Sequence, residues 1–264
     1  MATILKLGGE LLDDPAAVRS AAAAIVKLAG TTPLVVVHGG GRAIDVELRA
    51  RGCTPAFVDG LRITDAAALD AVVAVLAGRT NTHLVAAVGA AGGRAVGLTG
   101  ADGRIGLSSK AAAFTSVAGQ AVDLGLVGQP DGEDASLLTD LLAIGVVPIV
   151  ASIGVSREGD LLNVNADTIA AHLAAAIHAD RLIIAGATAG VLDAQSRLIP
   201  ALSLAGIEQM IASGDAHSGM VAKLAACRAA LNGGVREVAI VSGRGVDDYA
   251  AASGTRIHRE MVTT

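Results

Sequence analysis

The sequence predicts an α/β fold in which a mostly parallel sheet is covered by helices on both faces. Short β-rich apolar runs alternate with longer alanine-rich segments of helical period along most of the 264 residues. Strand after helix after strand is the pattern of parallel pairing through helical crossovers. The length suits one large α/β unit or two closely joined lobes.

Taken in order, residues 4–7 form a first strand that carries Lys6 at its far end. Asp14-Pro15 then opens a helix over 15–30, with a capping carboxylate and a proline in the first turn. A strand over 34–38 leads to a helix over 42–52, and a long helix follows over 65–91. After a strand at 95–98, the turn Gly100-Ala101-Asp102-Gly103 begins a polar, glycine-punctuated stretch. That stretch, 97–133, predicts β-hairpins decorating one lobe. A helix over 136–145, a strand over 146–151 and a helix over 166–179 come next. At 176–181 the pattern restarts, which divides the chain into lobes 1–178 and 179–264. The second lobe holds strands at 182–185 and 238–242 and helices over 203–213 and 219–232. Alanine enrichment falls on the helices as filler.

Composition excludes several function classes. The chain is 52% hydrophobic, which argues for a well-buried core and against disorder. Every apolar run is interrupted by Gly, Asp or Arg before the roughly 18 residues a bilayer span needs, so no membrane partner is expected. No signal peptide opens the sequence, and a cytoplasmic location is expected. Cys53 and Cys227 are too few and too far apart for a disulfide framework or a zinc cluster. A net charge of -5 argues against a nucleic-acid binder. Phe57, Phe114 and Tyr249 are the only aromatics, so a purine would be held by aliphatic side chains and backbone. No histidine pair has metal-ligand spacing, and no metal site is expected.

The chemistry points to two glycine loops. Lys6-Leu7-Gly8-Gly9 and Val37-His38-Gly39-Gly40-Gly41 both sit at the carboxyl ends of strands, where open parallel sheets bind ligands. Consecutive glycines let backbone N–H groups approach an anion, and the following helix N-terminus adds to the attraction. Either loop alone can equally be a tight turn; the two together, with Lys6, favour a phosphate cradle. Neither GxxxxGK[ST] nor a GxGxxG after a strand occurs, so a P-loop or Rossmann site is not supported.

Three further stretches carry polar side chains beside helix starts. In FVDGLRITD, Arg62 suits bidentate grip on a carboxylate, or is a solvated surface arginine. In LLNVNAD, Asn163 and Asn165 can cap the next helix, or Asn163 can meet a substrate while Asp167 holds lysines in place. In SGMVAKL, Lys223 lies one turn after Gly219 and can reach a ligand at that helix start, or be solvated.

These motifs together resemble the amino acid kinase family, and within it the branch that phosphorylates N-acetyl-L-glutamate. KLGGELL, VVVHGGGRAID, FVDGLRITD, AVVAVLAGRTN, AVGLTGADG, VPIVASIGV, LLNVNADTIA, AGVLD and SGMVAKL run in the same order along nearly the whole chain. The resemblance implies a three-layer αβα sandwich with a central, mainly parallel eight-stranded sheet. It implies transfer of the γ-phosphoryl of ATP to the side-chain carboxylate of N-acetyl-L-glutamate, an early step of arginine biosynthesis. MgATP would be a co-substrate, with no tightly bound cofactor. Residues 1–178 would bind the acyl amino acid and dimerise, and residues 179–264 would bind ATP. Lys6 and Lys223 would flank the transferring phosphoryl, with Asp167 orienting both amines. Gly8, Gly9, Gly40 and Gly41 would line the phosphoryl and acceptor site. Arg62 would clamp the α-carboxylate and Asn163 would bind the acyl amino acid. Ala187, Thr188, Gly190, Leu192, Asp215 and His217 would hold the nucleotide.

Two positions depart from the family. Gly186-Ala187 stands where relatives often have a Thr/Ser-Asp pair, and the turn at Gly100 lacks a common lysine. The short stretch before Lys6 leaves out the extra N-terminal helix of arginine-inhibited hexamers. A homodimer without that feedback is therefore expected. Two alternatives stay open: a kinase of another N-acylated acidic amino acid, and a non-catalytic ligand-binding protein on the same fold.

Overall fold

A computed structural model of the chain describes residues 2–116, 119–216 and 218–260. Eight strands form one sheet: β1 (Thr3–Leu7), β2 (Leu34–His38), β3 (Ala95–Thr99), β4 (Val147–Ala151), β5 (Arg181–Gly186), β6 (Ala201–Ser203), β7 (Glu237–Ser242) and β8 (Gly254–His258). Their order across the sheet is β6-β8-β7-β5-β1-β2-β4-β3. Six neighbours from β7 to β3 are parallel; β8 runs antiparallel to β7 and carries β6 alongside it. Short apolar runs had marked all the strands except β6 and β8, which are punctuated by Ser203, Gly254 and Arg256.

Alternation along each strand separates two cores. Ile4, Val35, Val37, Leu182, Ile184, Val238 and Ile240 face one layer, formed by α4 (Ser136–Ala143), α5 (Ala166–Ala176), α6 (Leu204–Ser213) and α7 (Ser218–Asn232). Leu5, Leu7, Val36, Ile149, Ile183 and Ala239 face the other, formed by α1 (Pro15–Ala29) and the second half of α3 (Ala66–Ala90). The period of two assigns Lys6 to the face of Ile4, under α5 and α7.

The chain leaves β1, builds outward through β2, β3 and β4, then returns to the other side of β1 with β5. A sheet that reverses its winding opens a crevice at that point. Four strand ends meet there in register: Leu7 beside His38 and Ala185, and Ala151 beside His38. The restart at residue 181 is thus a change of direction within one continuous sheet.

Short antiparallel ribbons decorate the carboxyl edge. Ser108–Lys110 pairs with Gly128–Pro130, and Phe114–Thr115 with Ala121–Val122, the hairpins expected in 97–133. Ile153–Val155 pairs with Leu161–Asn163, and Phe57–Val58 with Leu61–Arg62.

Helix α2 (Gly41–Ala50) and α3 enclose the site from the β2 side. Helix α3 is long and apolar enough to cross a membrane by length and composition, contrary to the reading of interrupted runs. Its Val72, Val75, Leu76, Leu84 and Val88 are instead buried in two protein cores, and Arg79 pairs with Glu47 on α2. A π-helical stretch, Ala74–Thr80, interrupts α3 and packs on the second glycine loop; a β-carbon on Gly40 would lie 2.7 Å from Leu76 Cδ2.

Directly after that stretch, buried Asn81 donates from Nδ2 to Ile149 O at 2.8 Å and sits 3.1 Å from His38 Nε2. Burial pushes His38 down to about 4, so the ring is neutral at physiological pH and accepts that amide. Replacing Asn81 with Ala strands both acceptors. We expect Asn81→Ala to cost about 1–3 kcal/mol of stability, read as a fall in urea midpoint at constant slope. An unchanged midpoint would show that the pair does not pin α3 to the sheet.

Candidate active site

Three ionised side chains converge at the switch point. Asp167 lies in the first turn of α5, whose N-cap Asn165 accepts from the backbone of Asp167 and Thr168 at 2.9 and 3.1 Å. From there its carboxylate meets Lys6 Nζ at Oδ1, 2.7 Å, and Lys223 Nζ at Oδ2, 3.0 Å. The contact at Oδ2 is a hydrogen bond; that at Oδ1 is an ion pair without hydrogen-bond alignment. Residues separated by 161 and 56 positions thus share one carboxylate.

Burial dominates the electrostatics. Lys6 and Asp167 side chains are each 6% exposed. Burial, reinforced by the Lys223 ammonium, pushes Lys6 below the usual lysine range, against the pull of Asp167. Burial alone would push the Asp167 carboxyl up, but the two ammonium groups outweigh it and hold the group below the ordinary value. Burial also works against the charge on Lys223, yet Asp167 and the more distant Glu10 carry that amine above its usual range. One carboxylate thus sits between two amines whose affinities for a proton are pushed in opposite directions.

The two glycine loops touch backbone to backbone: a β-carbon on Gly9 would lie 2.6 Å from Gly40 Cα. Gly9 and Gly41 each open a helical turn, so their N–H groups have no partner within it. Gly8 lines the cleft without offering its N–H. Its N–H is taken by Ala185 O at 2.8 Å, because the residue still continues the β1–β5 ladder. Its contribution is the missing side chain, whose place is occupied by the Glu10 carboxylate.

Arg62 is buried at the edge of the same cleft. Nη2 donates to Asp45 Oδ1 at 2.6 Å and Gly41 O at 3.2 Å, and the guanidinium lies 4.5 Å over the Phe57 ring. Its Nη1 is buried without a hydrogen-bond partner. A buried arginine N–H of that kind is a ready-made contact for a carboxylate. Asn163 donates from Nδ2 to Thr64 Oγ1 at 3.0 Å on the ribbon opposite. Both asparagines line the cleft; Asn165 is also the cap of α5, whereas Asn163 reaches across to Thr64.

The cleft, about 260 Å³, brings together Lys6, Gly8, Gly9, Gly40, Gly41, Arg62, Asn163 and Asp167. A larger groove of about 920 Å³ runs between α1, α2 and α3 but contains neither glycine loop nor Lys6, so the chemistry selects the smaller one; Lys223 lies outside both linings and joins the cleft through its contact with Asp167. Ala187, Thr188, Gly190 and Leu192 follow the end of β5, outside this lining; Ala187 alone reaches it, through a 2.9 Å bond from its N–H to Glu10 Oε1. Asp215 accepts from Ser213 Oγ at 2.6 Å after α6. His217 lies outside the described residues. Sequence reasoning missed Glu10 and Asn81, whose partners are 177 and 43 positions away with no local pattern to reveal them. Among the described residues no cluster of His, Cys, Asp or Glu is built to hold a metal by itself. A cation arriving with phosphates needs fewer protein ligands.

Linkage fixes the sign of the acid response. The Asp167 pKa is depressed on folding, so its stabilisation is complete above the ordinary value of 3.8 and is lost as pH falls through the lower folded value. Asp167→Asn leaves two ammonium groups uncompensated and should cost about 3–5 kcal/mol at neutral pH. In urea titrations, the stability gap between wild type and variant should narrow as pH drops below that window. A gap independent of pH would contradict the ion-pair reading.

The chain is similar in sequence and fold to known proteins. Residues 1–242 match the amino acid kinase family. The acetylglutamate kinase of Afipia carboxidovorans is 41% identical over 246 residues, 91% of this chain and 83% of that protein. The acetylglutamate kinase of Bradyrhizobium diazoefficiens is 40% identical over the same shares. Among solved structures, the N-acetylglutamate synthase of Neisseria gonorrhoeae, complexed with coenzyme A and N-acetyl-glutamate, superposes with a TM-score of 0.83 at 24% identity. The match covers 98% of this chain and 59% of that one. Giardia carbamate kinase has a TM-score of 0.70 at 17% identity, covering 98% and 99%. With its profile matched over most of its length and relatives near 40% identity, the chain belongs to the amino acid kinase family.

Proposed function

We propose that the chain transfers the γ-phosphoryl of MgATP to the side-chain carboxylate of N-acetyl-L-glutamate, giving N-acetyl-L-glutamyl 5-phosphate and ADP. The observation that carries this reading is the pair of lysines gripped by Asp167 beside the doubled glycine cradle. The acceptor is already ionised at neutral pH, so no general base is required. One of its oxygens attacks the γ-phosphorus while the bond to the β–γ bridging oxygen breaks, and that electron pair leaves with ADP. The obstacle is bringing a carboxylate against a polyanion, which positioning and fixed positive charge overcome.

Lys6 and Lys223 supply that charge on either side of the transferring group. Asp167 fixes both amines before substrate arrives, so little reorganisation is needed in the transition state. Gly9, Gly40 and Gly41 offer N–H groups to the phosphoryl oxygens or the attacking carboxylate. The unpartnered Nη1 of Arg62 takes the α-carboxylate, and Asn163 binds the acyl amino acid. The nucleotide lies over Ala187, Thr188, Gly190 and Leu192 and the segment around Asp215 and His217. Residues 1–178 then serve the acceptor and 179–264 the nucleotide. This reading makes the chain a cytoplasmic enzyme of an early step in arginine biosynthesis. It acts as a homodimer; the exposed side of α3, with Ala67, Ala74, Gly78 and Ala86, is small enough for close approach of a second copy.

Hydroxylamine traps acyl phosphates as hydroxamates and tests both substrate and residues. With MgATP and N-acetyl-L-glutamate we expect stoichiometric hydroxamate, and Lys6→Ala should turn over roughly 10²–10³ more slowly. Near wild-type turnover by that variant would remove Lys6 from the chemistry. Hydroxamate formed only with a different N-acylated acidic amino acid would replace the acceptor.

A further inference from the structure

We propose that Glu10 is the carboxylate that receives the divalent cation of the metal–nucleotide substrate, and so makes the cleft select the metal-loaded nucleotide. This deepens the phosphotransfer reading and rests on it. Among the described residues lining the cleft, only Glu10 and Asp167 carry carboxylates. Asp167 is buried and both its oxygens are committed to lysines. Glu10 is exposed, and its hydrogen bond from Ala187 N–H at 2.9 Å uses one of roughly four lone-pair positions.

The backbone around Glu10 is shaped to admit its carboxylate. The side chain folds back over Gly8, where any β-carbon would overlap its oxygens, and a β-carbon on Gly186 would lie 3.1 Å from Oε1. One charge therefore bridges the first glycine loop to the end of β5 across the switch point. Its negative field also reaches both Lys6 and Lys223. With Asp167 it brings the formal charge of the group to zero.

A carboxylate held there repels bare polyphosphate at close range, unless a cation lies between them. Magnesium binds in this way, through one or two carboxylates together with substrate phosphates, keeping several waters. The same carboxylate thus penalises free nucleotide and favours its magnesium complex.

Calorimetric titration of the full chain with ADP, in magnesium and in chelator, separates these effects. Glu10→Gln keeps an oxygen for the Ala187 N–H and removes only the charge. Wild type should bind ADP more tightly with magnesium than without. In Glu10→Gln that affinity ratio should shrink about tenfold, the lower end of what removing a supporting group costs a metal site. Part of the change should come from tighter binding of metal-free ADP. A ratio equal in the two proteins would overturn the role of Glu10 while leaving the kinase reading intact. A wild type that binds ADP under neither condition would overturn both.

Discussion

One carboxylate holding two amines governs the rest of the site. An isolated ammonium on the buried face of a central strand is untenable, since desolvation would strip its proton or unfold the strand. Asp167 makes Lys6 tolerable, and Lys6 and Lys223 together hold the Asp167 carboxyl below its ordinary value in turn. Sequence separation adds a constraint: β1, α5 and α7 must all be in place before the triad exists.

The winding of the sheet delivers those three elements to one point. Strand β1 is central, with chain running outward on both sides, so its carboxyl end meets loops from β2, β4 and β5. Gly9 lets the loops after β1 and β2 touch, since a β-carbon there would lie 2.6 Å from Gly40 Cα, and Gly40 in turn admits Leu76 of α3. Packing of the π-helical stretch on Gly40 and the Asn81–His38 contact hold the second loop against the sheet. Binding groups then sit on rigid strand ends, where preorganised charge costs least during reaction.

Much of this was legible in the residues, for identifiable reasons. Buried parallel strands are uninterrupted apolar runs, so six were visible, and Lys6 stood out because it breaks such a run. Asp14 announced a helix start through local geometry and caps as expected, and Asp65 caps the helix that begins where the sequence placed it. Strands β6 and β8 were hidden because polar or glycine residues, Ser203, Gly254 and Arg256, interrupt their apolar runs. The π-helical stretch has no distinguishing periodicity over seven residues, Ala74–Thr80. Asn163 and Asn165 could be separated only by seeing which one faces the helix N–H groups. Glu10 resembles any solvated loop acid until the fold brings Ala187 beside it. Chemistry set by neighbours in sequence was readable from the residues; the long-range grouping of Lys6, Asp167 and Lys223 came only through the family resemblance, and the partners of Glu10 and Asn81 from neither.

The central claim is that both amines act together on one migrating phosphoryl group while Asp167 keeps hold of them. A crystal structure with ADP, a planar phosphoryl mimic such as aluminium fluoride, and N-acetyl-L-glutamate examines it directly. Both Lys6 Nζ and Lys223 Nζ should contact the mimic, each still paired with its own oxygen of Asp167. An amine turned away from the mimic, or an Asp167 carboxylate released from either lysine, would contradict the claim.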